Sequence, residues 1–342
     1  MVTKNDIKIL DCTLRDGGYV NNFEFGNENI KNIVRDLSLS GVDLVELGFL
    51  KNGNHNSNQT LFNHIQEAEY FAEKSENPNQ DFCMMIRPDW YDIEKLSNCT
   101  GRITTLRFAF HYRDLDLTLE QANIARNLGY KIIFNPVNIL SYSKQKLEHL
   151  LPILNDFNPR CVSIVDTFGS LLPSDLNRLF KIFDDHLNQS ITLALHLHEN
   201  LSISLALAII FIDLIQNKRN GIIDSSILGI GRIPGNLCTE LIMSFMNKKL
   251  NKNYNLNHIY NLIDNPISSF KINEPWGYMP AYAITAYNKI HRSYAEYLLK
   301  KPNITTNQIN SILNCLVTVD EKENFDQSLA DYYYEKIVSE NK

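Results

Sequence analysis

Little in this sequence points toward a membrane, a nucleic acid or an oxidising compartment. The longest wholly apolar run is Leu205–Ile212, far short of the roughly 20 residues a spanning helix needs. The opening residues, Met1 to Asp6, have no apolar run behind them and are not read as a signal peptide. A formal net charge of −6 supplies no basic surface for nucleic acid or for an anionic membrane. The six cysteines, at 12, 83, 99, 161, 238 and 315, form no C-x-x-C pair. They are therefore read as reduced, mostly buried thiols of a cytoplasmic protein. A Gly-rich phosphate loop after an early strand is also missing. Gly17-Gly18 does not match it, which weighs against an open dinucleotide-binding sheet.

What the chain does have is a regular alternation. Short β-rich runs are expected at Ile7–Asp11, Leu44–Gly48, Phe82–Arg87, Thr104–Phe110, Lys131–Asn135, Val162–Asp166, Ile191–His196 and Ile223–Leu228. Amphipathic stretches follow them, at Asn27–Ser40, Thr60–Glu73, Leu119–Asn127, Ser143–Asn155, Pro173–Asp185, Leu201–Gln216 and Leu237–Asn247. Eight βα units over about 240 residues predict a closed parallel barrel, the TIM (β/α)8 barrel, spanning residues 1–249. Residues 250–342 read as a small helical appendage, with one long aromatic-rich helix over Ala281–Lys300.

In such a barrel, function gathers where strands end and βα loops begin. The polar residues at these places are Asp11, Arg15, Asp16, Glu46, Arg87, Arg107, His111, Asn135, Asp166, Thr167, His196, His198 and Asp224, a ring that core packing does not require. Residues two apart on a strand share a face, so His196 and His198 point to one side. Together with Asp16 they make an N/O donor set for a divalent ion. Their bland readings are solvent-facing strand positions and a surface turn.

Three stretches, taken together and in order, carry a family likeness: Thr13-Leu14-Arg15-Asp16-Gly17, His196-Leu197-His198 and Gly231-Arg232-Ile233-Pro234-Gly235-Asn236-Leu237-Cys238-Thr239-Glu240. They resemble the signatures of the DRE-TIM metallolyases, a superfamily that includes 3-hydroxy-3-methylglutaryl-CoA lyase, isopropylmalate and homocitrate synthases and 4-hydroxy-2-oxovalerate aldolase. The resemblance implies a divalent metal (Mn²⁺ or Mg²⁺, with Co²⁺ or Zn²⁺ as options) on Asp16, His196 and His198. Asn236 resembles the asparagine that completes the coordination sphere in some members; a loop cap is the alternative. Arg15 would stabilise an enolate, since a guanidinium that stays charged adds fixed donors to the Lewis acidity of the cation. Glu46, Arg107, Thr167 and Gly235 are the expected substrate contacts.

The aldolase-like members imply a reaction in which a 4-hydroxy-2-oxo acid gives pyruvate and an aldehyde, the partners being small molecules. The Gly-Gly-Tyr and Trp276-Gly277-Tyr278 segments resemble aldolase-like proteins of bacterial surface-sugar pathways, which makes a sugar-type aldehyde one option. Acyl-CoA-using members typically read Arg-Asp-Gly-x-Gln, whereas this chain reads Arg15-Asp16-Gly17-Gly18-Tyr19. A Claisen-type synthase or lyase is therefore the second reading, and a scaffold barrel the third. Tyr19 stands where hydroxy-oxovalerate aldolases carry a basic histidine, and a phenol with a pKa near 10 is a poor base. His111 and a metal-bound water are the substitutes. The aromatic-rich C-terminal region predicts a homodimer.

Overall fold

A computed structural model of the chain describes residues 6–339. The strands in chain order are β1 (Ile7–Asp11), β2 (Leu44–Leu50), β3 (Leu61–Phe62), β4 (Asp81–Ile86), β5 (Ile103–Phe110), β6 (Lys131–Pro136), β7 (Cys161–Val165), β8 (Thr192–His196) and β9 (Gly221–Ser225). All except β3 run side by side in parallel, and β1 pairs both β9 and β2, so the sheet closes into an eight-stranded barrel. The two-residue β3 lies outside the ring, against β2. Helices alternate with the strands and wrap the outside, so the fold is a TIM barrel followed by further helices.

The sequence pattern explains the layers. Strands buried on both faces need apolar residues throughout, and every residue of β2 is buried. The helix Asn27–Ser40 buries Ile30, Ile33, Val34 and Leu37, one stripe at helical spacing. It stops at Gly41, where φ is +80°, a value glycine adopts without strain. Inside the barrel, Leu10, Leu44, Cys83, Ile133, Cys161, Ala194 and Ile222 form an apolar layer. Two residues further along four of those strands come Glu46, Asn135, His196 and Asp224. The two-residue period sends them to the same interior at the C-terminal mouth, where apolar filling gives way to charge.

The elements differ from the sequence expectations in instructive places. The last barrel strand is Gly221–Ser225 rather than Ile223–Leu228, because the chain turns at Leu228, whose φ is +54°. The helix expected from Thr60 begins at Ile65, since Leu61 and Phe62 pair with β2 instead of joining it. Arg15 and Asp16, expected at the end of the first strand, sit just beyond it in a short helical turn, Thr13–Asp16. The long helix expected over Ala281–Lys300 is two helices, Pro280–Tyr287 and Ser293–Leu298. The chain breaks between them with Lys289 in the left-handed region.

After Leu250 the described elements are all helical. Ile259, Leu262, Ile267 and Trp276 belong to the barrel's outer core, whereas Tyr282, Ile290, Tyr294, Leu298, Ile309, Ile312 and Leu313 gather in a second apolar cluster. Thr305 and Gln308 form a reciprocal cap at the start of Thr306–Asn314. All six cysteines are free, three buried and three partly exposed. Among the described residues no helix is long and apolar enough to cross a membrane.

Candidate metal centre

The first signature begins where β1 ends. The backbone N–H of Thr13 donates to Asp11 Oδ1 at 2.9 Å, and Asp16 N–H closes the turn on the Cys12 carbonyl at 2.8 Å. This turn lifts Arg15 and Asp16 over the barrel mouth. There Asp16 meets His196, the last residue of β8, and His198 just beyond it. One ligand atom from each of the three lies within 4.8 Å of the others. Nε2 of His196 and of His198 stand 4.0 and 3.7 Å from Asp16 Oδ2.

Four features of the surroundings suit a divalent cation. First, both imidazoles are engaged at Nδ1, His196 with Asp224 Oδ2 at 3.0 Å and His198 with the Asp166 carbonyl at 2.8 Å. A proton held at Nδ1 leaves the Nε2 lone pair free as the ligand, the usual outer support of a metal-binding histidine. Second, Asn236 places its amide 2.6 Å from Asp16 Oδ2, while its buried Oδ1 has no partner. Third, a Cβ on Gly231 would stand 2.3 Å from the Asn236 amide and 3.0 Å from Asp16 Oδ2, so the backbone is cut away beside the site. Fourth, the connected network of buried charges holds three carboxylates, Asp16, Glu46 and Asp224, against two guanidiniums, Arg15 and Arg107.

That network also sets the protonation states. Burial alone would raise Asp16, but Arg15, then His198 and His196, outweigh it and hold the carboxyl well below the ordinary range. Burial, reinforced by His196, pushes His198 down to about 3, so its ring is neutral at pH 7. Burial opposes the charge on Arg15, yet Glu46 and Asp16 keep it firmly protonated. Arg15 gives Nε to Glu46 at 2.7 Å and Nη1 to Asp16 at 2.6 Å. Its Nη2 has no protein partner in the described residues, and Arg15 lines the cavity above the mouth.

The sequence candidates divide by position. Asp16, His196, His198, Arg15, Tyr19, Arg107, His111 and Thr167 line that one cavity. Glu46 is fully buried beneath it and binds both Arg15 and Arg107. Arg107 in turn bonds Asn135 at 3.0 Å and Asp224. Thr167 Oγ1 accepts the Asn138 N–H at 2.7 Å. Gly235 backs the loop that carries Asn236: with φ at +118°, its Cβ would strike the Gly229 carbonyl at 2.5 Å. Burial and then Asp16 push the Tyr19 phenol up from its ordinary value, away from service as a base. Burial and the nearby Arg113 and Arg87 push His111 down, so it is neutral at pH 7 and able to accept a proton.

Other residues of the site escaped the sequence reading. Trp276 donates Nε1 to the Leu228 carbonyl at 2.8 Å, and Gly277 N–H bonds the Pro234 carbonyl at 2.9 Å, so the C-terminal segment pins the loop holding Asn236. His291, Glu323, Asn324 and Phe325 close one side of the cavity. A sequence hint to this wall is the set Lys289, His291 and Arg292, polar residues inside an otherwise helical pattern.

Comparison with known proteins adds to this geometry. The family model described as HMGL-like matches residues 6–265. An oxaloacetate decarboxylase from Mycobacterium tuberculosis is 24% identical over 243 residues, covering 70% of each chain. A 4-hydroxy-2-oxovalerate aldolase from Thermomicrobium roseum is 25% identical over 250 residues, 72% of this chain and 68% of that one. Among solved structures, the N-terminal domain of a Bacteroides vulgatus protein described as a candidate aldolase superposes with a TM-score of 0.77 at 23% identity, over 90% of this chain and all of that one. The carboxyl transferase domain of Rhizobium etli pyruvate carboxylase, with pyruvate, gives 0.67 at 12% identity over 98% of this chain and 62% of that one. Both structural likenesses concern the fold.

Proposed function

The chain belongs to the HMGL-like family, and from that premise we propose that it is a divalent-metal-dependent carbon–carbon lyase. It cleaves a 4-hydroxy-2-oxo acid to pyruvate and an aldehyde through the pyruvate enolate, or runs the same step in reverse. One observation carries the reading: Asp16, His196 and His198 converge at the barrel mouth with Arg15 beside them, its Nη2 unengaged among the described residues. The named aldolase and decarboxylase relatives support it.

Asp16, His196 and His198 would hold the ion, with Asn236 completing the set. A donor set of oxygen and imidazole nitrogen suits Mn²⁺ or Mg²⁺, with Co²⁺ and Zn²⁺ as options. When bound, the cation supplies Lewis acidity to the oxygens of a 2-oxo acid. Arg15, anchored by Glu46 and Asp16, presents Nη2 to the oxygen that gains charge as the enolate forms, and it needs no reorganisation to do so. In the cleavage direction the bond between C3 and C4 breaks and its electrons enter the enolate. The 4-hydroxyl proton passes to His111, neutral at pH 7, the aldehyde departs, and protonation of the enolate at C3 gives pyruvate. Tyr19, kept protonated, serves as a hydrogen-bond donor at the same wall.

Oxaloacetate reaches the same enolate by losing CO₂, a step with no hydroxyl proton to remove. The two activities thus differ in their need for His111. The reading includes a homodimer, supported by Ile272, Tyr278 and Tyr287, which stay exposed near the C-terminal helices. Light scattering that gave the mass of one chain across a wide concentration range would reject the dimer. The test of the lyase is an aldehyde panel with pyruvate and Mn²⁺, read by mass spectrometry. Chain-extended 4-hydroxy-2-oxo acids that vanish in His196→Ala are expected; no product with any aldehyde, and no cleavage of the corresponding acids, would overturn the reading.

A further inference from the structure

The cavity above the metal centre measures about 690 Å³, in the range that encloses drug-sized ligands and well beyond the needs of pyruvate with a two-carbon aldehyde. Its walls are not electrically uniform. Arg87 is bound by Asp89, and Lys146 lies over the Tyr112 and Tyr142 rings. One stretch of wall, where the Gly231–Asn236 loop meets the break before the helix Ser293–Leu298, holds cationic groups that the protein leaves incompletely paired.

Arg232 lies on that loop and lines the cavity. Its guanidinium sits 5.6 Å from the centre of the Tyr19 ring, and no carboxylate among the described residues forms an ion pair with it. Close by, Arg292 is almost fully buried. Its Nη2 is bound by Glu296 Oε1, and its Nε has no partner. Glu296 is spent on Arg292 and on Ser293, whose hydroxyl donates to it at 3.2 Å. Glu323 lines the same side of the cavity, yet among the described residues it forms no ion pair with either guanidinium, so Glu296 is the one carboxylate paired here. The crowding shows in Arg292, which burial and then Arg232 push down to about 10. His291, next to Arg292 in the chain, lines the cavity. Its Nδ1 accepts the Ser293 N–H at 3.2 Å, so in the neutral ring the proton resides on Nε2, which makes it a donor. Burial, then Arg232 and Arg292, push this histidine down to about 4, which keeps it neutral near pH 7.

A guanidinium without an ion pair, beside a buried guanidinium N–H without a partner and a neutral N–H donor, is costly unless an anion is to be met there. We propose that Arg232 and His291, backed by Arg292, form an anion subsite, and that the second substrate is an aldehyde whose far end carries a carboxylate or a phosphate. The inference rests on reading the cavity as the site of a pyruvate aldol reaction. It assigns a function to a part of the C-terminal region, which closes the cavity wall with a charge-recognising corner.

Two measurements on the Mg²⁺-loaded full chain test it. In calorimetry with inorganic phosphate and with succinate, wild type binds at least one anion about tenfold more tightly than Arg232→Met, the loss expected for a charge-assisted pair. Equal affinities for both anions would overturn the subsite. Condensation with pyruvate is then compared in matched pairs, glyceraldehyde 3-phosphate against glyceraldehyde and succinate semialdehyde against butanal. The kcat/KM ratio favours the charged member of at least one pair by about tenfold or more. It collapses toward one in Arg232→Met and recovers in part in Arg232→Lys; the pair that shows it tells phosphate from carboxylate. Ratios near one in both pairs for wild type would overturn the assignment, as would a preference unaffected in both Arg232→Met and His291→Ala. Exchange of the pyruvate methyl protons with deuterated water, followed by NMR without aldehyde, reports on the lyase reading separately. No exchange would sink that reading, while the calorimetry still decides the subsite.

Discussion

Replacing Arg15 by lysine separates binding from chemistry, and the structure sets the expected size of the effect. Arg15 performs three tasks with one planar group. Nε holds Glu46 at 2.7 Å, Nη1 holds Asp16 at 2.6 Å, and Nη2 remains for the reacting oxygen. An ammonium on a four-carbon stem keeps the charge but cannot span two fixed carboxylates and a substrate together. The variant should remain folded and metal-loaded, because Arg107 still binds Glu46 at 3.1 Å and Asp16 still faces both histidines. Its stability should fall by about 1–3 kcal/mol, the cost of weakened hydrogen bonds to a buried carboxylate. Turnover should fall by about 10² to 10³, as when a single oxyanion donor is removed. The assay combines metal content by mass spectrometry, a thermal melt, deuterium exchange into pyruvate and kcat for condensation. Unchanged turnover in a folded, metal-loaded variant would refute the enolate role. Loss of metal in step with loss of turnover would instead show that Arg15 acts by orienting Asp16.

Three further expectations can be checked directly. Asp224→Asn weakens the support at His196 Nδ1 and the pairing with Arg107, so metal affinity measured by competitive chelation should drop about 10- to 100-fold; an unchanged affinity would show that His196 is oriented by packing alone. His111→Ala should lower aldol cleavage by about 10² or more while sparing any decarboxylation of oxaloacetate, and equal losses in the two reactions would remove His111 from the proton transfer. Asp11 has its carboxyl pushed by burial from the ordinary 3.8 up to about 6. The folded state thus holds that proton more tightly, and stability from this group is lost as pH rises from about 4 to about 6, by at most about 3 kcal/mol. Asp11→Asn removes the titration, so the difference in unfolding free energy between wild type and variant should change across that window; a constant difference from pH 4 to pH 7 would contradict the assignment.

Local pattern in the chain was enough to specify the architecture. Eight apolar runs alternating with amphipathic stretches leave few ways to bury both faces of every strand except a closed parallel barrel, and the two-residue period already placed Glu46, Asn135, His196 and Asp224 on one side of their strands. Glycine at 41 marked a helix end because only a left-handed residue can stop the helix there. Asp16, His196 and His198 could be picked out as candidate ligands from residue type and spacing. Their convergence within 4.8 Å, however, depends on β1 and β8 both pairing with β9, a closure no local pattern contains.

What tertiary structure alone decided is how charge is shared across that closure. Glu46 and Arg107 read as strand-end polar groups in sequence; folding joins them with Arg15, Asp16, Asp224 and His196 in one buried network. Burial also settles the proton states, driving Tyr19 up and His111 down. The helix pattern over 281–300 hid its own interruption, because Lys289 can adopt a left-handed φ only where the surrounding packing repays the strain. That break carries His291 to the wall of a cavity whose lining is drawn from residues as far apart as Arg15 and Phe325. Periodicity registers which face of an element is apolar; it is blind to which distant element supplies the neighbouring charge, and here the neighbouring charge determines the chemistry.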